Sequence, residues 1–339
     1  MPSAISEPSR APRRGGLIVE PTYGYGDLAP RKPTLREVFV ELFDAINFLK
    51  DRTRLLPAAH LAHHLATFGI FILFFAHYFS FARVGIVMGI AAFLVTIYNT
   101  VWYHRYCTHR AYRFRSLWPA RLLLWTNPVG FREESYVIPH HVHHSNSDKP
   151  GDPYGPHLGW LGSYLAAKSQ QKTNRDITCS DYERLARSLQ HIGFAQNSYE
   201  KFRRTGSVEN VWHYGARVMV ATLLWCSLGY VVAGWPGVMA WLAGVFQCNF
   251  FMRDFNYRGH GGVFFNASEG RPANQLFYGL FGSEWHDNHH EHPRSARAGL
   301  AWWQLDTSYW IIKAMGACGL VERINLPEMN VPRTESGYT

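Results

Sequence analysis

Three stretches of the chain carry no Asp, Glu, Lys or Arg: Leu65 to Ala82, Val84 to Tyr103 and Val218 to Met252. A helix needs roughly 20 apolar residues to cross the hydrocarbon core of a bilayer, so the first two runs predict one span each and the third predicts two. Gly234-Trp235-Pro236-Gly237 falls in the middle of the third run, where a helical hairpin turns. The pattern therefore predicts an all-α integral membrane protein with four transmembrane helices in two hairpins, over about 65–82, 84–103, 213–233 and 237–257, with both chain ends on one side. The charged segments 104–212 and 258–339 are left outside the spans, as a helical cap. Residues 1–33 are rich in Pro, Arg and Gly without an apolar core and read as a disordered lead, with no secretory signal. The remainder, 34–339, reads as one membrane domain.

Charge sets the orientation. Arg10, Arg13, Arg14, Arg31 and Lys32 precede the first span, and Arg105, Arg110, Arg113, Arg115 and Arg121 follow the second, whereas the connection between them offers only Arg83. By the positive-inside rule the termini and the cap face the cytoplasm. The net charge of +9 suits a cap resting on anionic lipid and gives no reason to invoke nucleic acid. Cys107, Cys179, Cys226, Cys248 and Cys318 are scattered without a CxxC pair, which argues for a reduced, cytosolic cap without a disulfide framework.

Histidine then changes the picture. His104 and His109 stand in HRYCTH, His140, His143 and His144 in HHVHH, and His286, His289 and His290 in HDNHH. Eight imidazoles in three packets exceed what one mononuclear site can use, so they predict a dinuclear, all-nitrogen metal centre. In HxxHH, positions i, i+3 and i+4 share one side of a helix, while adjacent histidines diverge by roughly 100° and suit delivery to two neighbouring metals. The i, i+5 pair His104 and His109 is likewise expected to diverge. Asp148 and Asp152 after the second packet, and Glu284, Asp287 and Glu291 around the third, are candidates to accept the free N–H of a ligating imidazole. A further HxxHH, His60, His63 and His64, precedes the first span and is expected at an interfacial helix end, outside the metal centre.

HRYCTHR, HHVHHSNSDKPGDP and GSEWHDNHHEHP, in this order around two membrane hairpins, resemble the three histidine boxes of the membrane-bound fatty acyl desaturases, specifically the stearoyl-CoA desaturase type. The resemblance runs from about Leu65 to Leu320. It implies nine histidine ligands, adding His260 from the stretch Asn256-Tyr257-Arg258-Gly259-His260 to the eight above, with Asn256 reaching a metal through water. It also implies two Fe2+ ions, dioxygen, two external electrons, and a product with a cis double bond in a long acyl chain. No His-Pro-Gly-Gly haem signature occurs in the chain, so a separate ferredoxin or cytochrome is expected to dock on the basic cap.

Two departures bear on the substrate. Where acyl-CoA-using members have a Gln-Asn-Asp stretch and a Trp-Ala-Arg-Asp sequence, this chain reads Phe131-Arg132-Glu133-Glu134-Ser135-Tyr136-Val137-Ile138-Pro139, and Asn256 to His260 replaces the common Asn-Ser-Ala-Ala-His. An acyl-CoA, an acyl-carrier-protein thioester, a glycerolipid or a free acid therefore all stay open as substrates. Trp102, Tyr103, Phe250, Phe251 and Phe255 are candidates both for lining an acyl tunnel and for interfacial anchoring. Ala298 to Gly319 reads as a mostly helical stretch that packs on the cap. A hydroxylase or acetylenase on the same site is the alternative outcome. A histidine-rich metal transporter is disfavoured, because its ligands belong near mid-membrane and only His77 lies well inside a span.

Overall fold

The computed structural model describes residues 16–21, 23, 32–147, 149, 151–169, 171–260 and 285–327. Its frame is a set of long helices: α2 (Leu55–Tyr78), α3 (Phe81–Leu94) continued by a π-helix (Val95–Thr108), and the run α9 (Val211–Arg258). These three stretches, starting from Arg52 in the first, are long and apolar enough to cross a membrane. Their outer faces expose Leu73, Ile86, Leu223, Leu228, Val231 and Val232, which suits hydrocarbon surroundings and would be costly in water.

The third run differs from a single helix in one place. Ala233 (φ −148°) and Gly234 (φ 62°) leave helical geometry, at the Gly-Trp-Pro-Gly break read from the sequence. The chain doubles back there. The indole of Trp225 stacks on that of Trp241 with centroids 4.4 Å apart, although sixteen residues of straight helix would separate them by about 24 Å. Glycine at 229 and 237 permits the approach, since a Cβ on Gly237 would lie 2.1 Å from the Gly229 carbonyl oxygen.

Inside, α2, α3 and the second limb of α9 share a small core of Phe74, Val87, Ala240 and Ala243. The first long helix begins ahead of the uncharged run, because α2 extends N-terminally through His60, His63 and His64 to Leu55. Ahead of it, α1 (Leu35–Ile46) starts with a capping box: Thr34 accepts from the backbone of Glu37, whose carboxylate takes the Thr34 N–H at 2.7 Å. Within the lead read as disordered, Leu17 to Val19 pair with 172–174, including Val19 N to Lys172 O at 2.8 Å.

The cap is built from α4 (Leu117–Thr126), α5 (Glu133–Asn146), α6 (Gly159–Ser169), α7 (Cys179–Leu189), α8 (Tyr199–Thr205), α10 (His286–Glu291) and α11 (Thr307–Ala317). It is not purely helical: β1 (Tyr112–Phe114) pairs antiparallel with β2 (Val321–Ile324), correcting the all-α expectation. The tail helix is also shorter than Ala298 to Gly319. Asp306 caps α11 by accepting from Tyr309 N, and its carboxylate also holds Ala298 N at 2.7 Å, so the segment before it folds as a loop around that carboxylate.

Buried ion pairs join cap to frame. Arg105 on the π-helix meets Asp306 through both carboxylate oxygens at 2.8 and 2.9 Å. Arg217 bridges Glu133 and Glu209, and Glu133 also receives Trp102 Nε1 at 3.1 Å. Glu134 accepts from the backbone N–H groups of Val208 and Glu209. The Glu133-Glu134 departure noted in the sequence thus ties α5 to the start of α9.

Candidate metal centre

The π-helix is the first device of the site. Winding with i→i+5 bonds takes more residues per turn than an α-helix, so positions five apart come nearly one above the other. His109 N bonds His104 O at 3.1 Å in this pattern, and the two rings lie 4.8 Å apart. The expectation that His104 and His109 diverge assumed α-helical winding and is corrected: they converge.

The remaining histidines come from α5, from α10 and from His260, two residues beyond the end of α9. Nine imidazoles gather into two adjoining groups. The first holds His104, His109, His140, His144 and His289; the second holds His143, His260, His286 and His290. Within each group the nitrogens offered all lie within 4.8 Å of one another. On α5 the i, i+4 pair His140 and His144 goes to the first group while His143 crosses to the second. On α10 the i, i+4 pair His286 and His290 goes to the second while His289 crosses to the first. Each short helix thus serves both groups.

The contacts fit a metal better than a hydrogen-bond network. Nε2 of His140 is 3.1 Å from Nε2 of both His109 and His144. Nε2 of His289 is likewise close to His104 and His144, and Nε2 of His286 to His260 and His290. One ring nitrogen has one proton or one lone pair and cannot serve two like neighbours in a hydrogen-bond network. Nitrogens about 2.1 Å from a shared cation and at right angles to one another sit about 3.0 Å apart, which is the spacing seen. Nε2 of His143, buried and without a hydrogen-bond partner, belongs to the second group.

Electrostatics favours the ligand form. Burial holds His109, His140, His143, His286 and His289 well below the usual imidazole value, with neighbouring histidines adding to the effect. His144 is held down to about 4 and His290 to about 2, again chiefly by burial. All are therefore neutral near pH 7, the state in which imidazole binds a metal.

Outer contacts orient the rings. His143 Nδ1 lies 2.8 Å from Asp152 Oδ1 with both side chains buried. His140 Nδ1 lies 2.5 Å from the hydroxyl of Tyr154. Tyr154 was not singled out in the sequence, although its place in Gly-Asp-Pro-Tyr-Gly, two residues after Asp152, was the available signal. Asp287 is exposed, its carboxyl raised by partial burial, and Glu291 is exposed as well. Asp148 and Glu284 lie outside the described residues.

The remaining HxxHH, His60, His63 and His64, stands apart from both groups. His60 Nε2 is 2.7 Å from the hydroxyl of Tyr214 and His64 Nε2 is 3.0 Å from that of Tyr164, so these rings join α2 to α9 and α6. They are packing residues inside a helix, where a helix end had been expected.

A cavity of about 80 Å³ adjoins the groups, lined by His104, His140, His260, His286, His289, Asn256 and Phe255 among others. Of the aromatics proposed for a tunnel only Phe255 lines it. Trp102 and Tyr103 are fully buried and bond to Glu133 and to the Phe131 carbonyl, so neither is an interfacial anchor. Phe250 packs against Tyr164. Arg258, in the stretch that replaces Asn-Ser-Ala-Ala-His, is turned to Asp254 at 2.8 Å.

Comparison with known proteins agrees with this geometry. The fatty acid desaturase family model matches residues 82–321, and the chain belongs to that family. Among its relatives, an sn-1 stearoyl-lipid 9-desaturase of Synechocystis sp. is 24% identical, with 75% of each chain covered. An acyl-CoA C20 Delta5-desaturase of Anemone leveillei is 26% identical over 74% of this chain and 76% of its own. A hex-5-enoyl-[acyl-carrier protein] acetylenase of Moorena producens is 27% identical over 73% and 78%. The protein is thus a membrane fatty acyl desaturase-family oxidoreductase of lipid metabolism with a metal-binding histidine cluster.

Proposed function

We propose that the protein is an oxygen-dependent desaturase that places a cis double bond in a long-chain fatty acyl substrate at a histidine-ligated diiron centre. The observation that carries this reading is the sorting of nine imidazoles into a five and a four beside one cavity. His104, His109, His140, His144 and His289 hold one iron and His143, His260, His286 and His290 the other, with Asn256 reaching a metal through water. Asp152 and Tyr154 orient His143 and His140 by accepting their Nδ1–H.

Bound iron supplies the redox chemistry that lets dioxygen, two electrons and two protons remove two hydrogens from adjacent methylenes, giving an alkene and two waters. The chain's own contribution is position. Phe255 and Asn256 bound the space in which an alkyl segment lies against the histidines. In this reading four spans, with the α9 run counted as two across its reversal, leave the cap and both termini on one side, the positive flanks make that side the cytoplasm, and residues 34–339 act as one domain. Electrons come from an external ferredoxin or cytochrome. A cleft lined by Arg110, Arg113, Arg115, Arg187 and Arg294 reaches His109 and His144, and its charge suits an acidic donor.

The Moorena producens relative, an acetylenase by name, favours a second reading on the same site, in which the substrate already carries a double bond. Gas chromatography and mass spectrometry of lipids from cells expressing the wild type and His290→Ala, in a host supplying an electron donor, tests both. A new unsaturated chain that depends on His290 supports desaturation, and a triple bond supports the second reading. An unchanged profile with iron bound counts against both.

A further inference from the structure

Among the described residues three arginines are buried: Arg105, Arg217 and Arg253. Two have carboxylates. Arg105 meets Asp306, and Arg217 meets Glu133 and Glu209. Arg253 has none. Its Nη1 reaches only the Tyr164 carbonyl oxygen, at 3.3 Å, and its Nε is buried without a hydrogen-bond partner. The adjacent carboxylate, Asp254, is committed elsewhere: Oδ1 takes Trp160 Nε1 at 2.6 Å and Oδ2 takes Arg258 Nε at 2.8 Å.

Taking a guanidinium out of water costs several kcal/mol unless an anion and well-placed acceptors replace the solvent. What replaces it here is two ring faces, Phe131 at 5.3 Å and Tyr164 at 5.6 Å, and one long hydrogen bond to a neutral oxygen. Each ring offers about 0.5–2 kcal/mol, so the desolvation is only partly offset.

Arg253 is among the residues that line the cavity beside the histidines. Asn256 lies one helical turn further along, and Ser135, Gln171 and Asn99 add only neutral polar groups to the lining. Among the described residues the lining therefore holds a guanidinium with no carboxylate to meet it, next to the proposed reaction site. A planar fork of this kind matches a carboxylate, whose two oxygens accept in parallel.

We propose that Arg253 anchors a carboxylate carried by the acyl substrate, and that this contact sets which carbons lie against the histidines. The proposal rests on the desaturase reading for the identity of the ligand as an acyl chain. A carboxylate in this cavity has two sources: the head of a free fatty acid, or the far end of a chain that is esterified at its head. In both cases no atom of the reaction changes; Arg253 is a specificity-determining residue.

The test is equilibrium binding to purified, full-length, metal-loaded protein in detergent, using radiolabelled palmitate, methyl palmitate and the monomethyl ester of hexadecanedioic acid. The expected result is that palmitate or the half-ester binds at least about tenfold more tightly than methyl palmitate. A preference for palmitate assigns the carboxylate to the chain head, and a preference for the half-ester assigns it to the far end. Arg253→Met removes the preference while metal content and thermal midpoint stay at wild-type values, and Arg253→Lys, which keeps the charge and loses the fork, is intermediate. Equal binding of all three ligands to the wild type overturns the proposal, as does a preference that survives in Arg253→Met. Should the methionine variant fail to fold, the wild-type comparison and the lysine variant decide. Binding needs no electrons, so a protein inactive in the lipid assay can still show the preference, and an active one can lack it.

Discussion

Nδ1 of His143 lies 2.8 Å from Oδ1 of Asp152, and neither side chain is reached by solvent. The same carboxylate oxygen accepts Tyr154 N at 3.1 Å, so the Asp is fixed from two directions and in turn fixes the imidazole. With its proton held on Nδ1, His143 presents the Nε2 lone pair to the second group. Asp152→Asn keeps the shape but can present an N–H where an acceptor is required. The expected outcome is a metal affinity lower by about 10–100-fold, with activity falling alongside, as is usual for such outer contacts. Metal titration of stripped protein measures it, and unchanged affinity would remove Asp152 from the site.

The nine imidazoles should behave differently from the further HxxHH. His144→Ala and His290→Ala each remove a nitrogen from one group, and turnover and bound iron should both be lost. His63 lies against Gly130, away from both groups, and His63→Ala should leave metal content and product unchanged. Metal analysis with product analysis reads this. Loss in the His63 variant with retention in the other two would overturn the assignment.

Acid should destabilise the metal-free protein. Burial holds His144 at about 4 and His109, His140, His143, His286 and His289 lower than the usual 6.5. The unfolded chain therefore binds protons more readily than the fold. Stability is complete above pH 6.5 and falls as pH drops towards about 4, because unfolding then takes up protons. The thermal midpoint of chelator-treated protein should decrease between about pH 7 and pH 5. A flat profile would show that these rings are not held neutral by the fold.

The reversal in α9 makes a separate prediction. A Cβ at Gly237 would meet the Gly229 carbonyl oxygen at 2.1 Å, and backbone on both sides leaves nothing flexible to yield. Gly237→Ala should cost about 1–3 kcal/mol, seen as a lower thermal midpoint and less protein in the membrane. Gly229→Ala, whose Cβ would lie 3.0 Å from the Gly237 oxygen, should cost less. Equal midpoints for Gly237→Ala and wild type would show that the two limbs separate easily.

The sequence by itself determined what depends on neighbours along the chain. Uncharged runs marked the long apolar helices, Gly234 and Pro236 marked the break in α9, and the spacing within HHVHH and HDNHH placed adjacent histidines on diverging faces. Asp152 was legible because a ligating imidazole needs an acceptor and one stood nearby. Only the tertiary structure decided the rest. Local periodicity gives directions around one helix, but it does not say which helices face each other, and the contact of His104 with His289 spans 185 residues. Nor did it show that Val95–Thr108 winds as a π-helix, which turns His104 and His109 into partners. The burial of Arg253 without a carboxylate among the described residues is likewise invisible in sequence, where Asp254 stands beside it. A charge is isolated or paired by the distances that folding creates, and folding turns that Asp to Trp160 and Arg258.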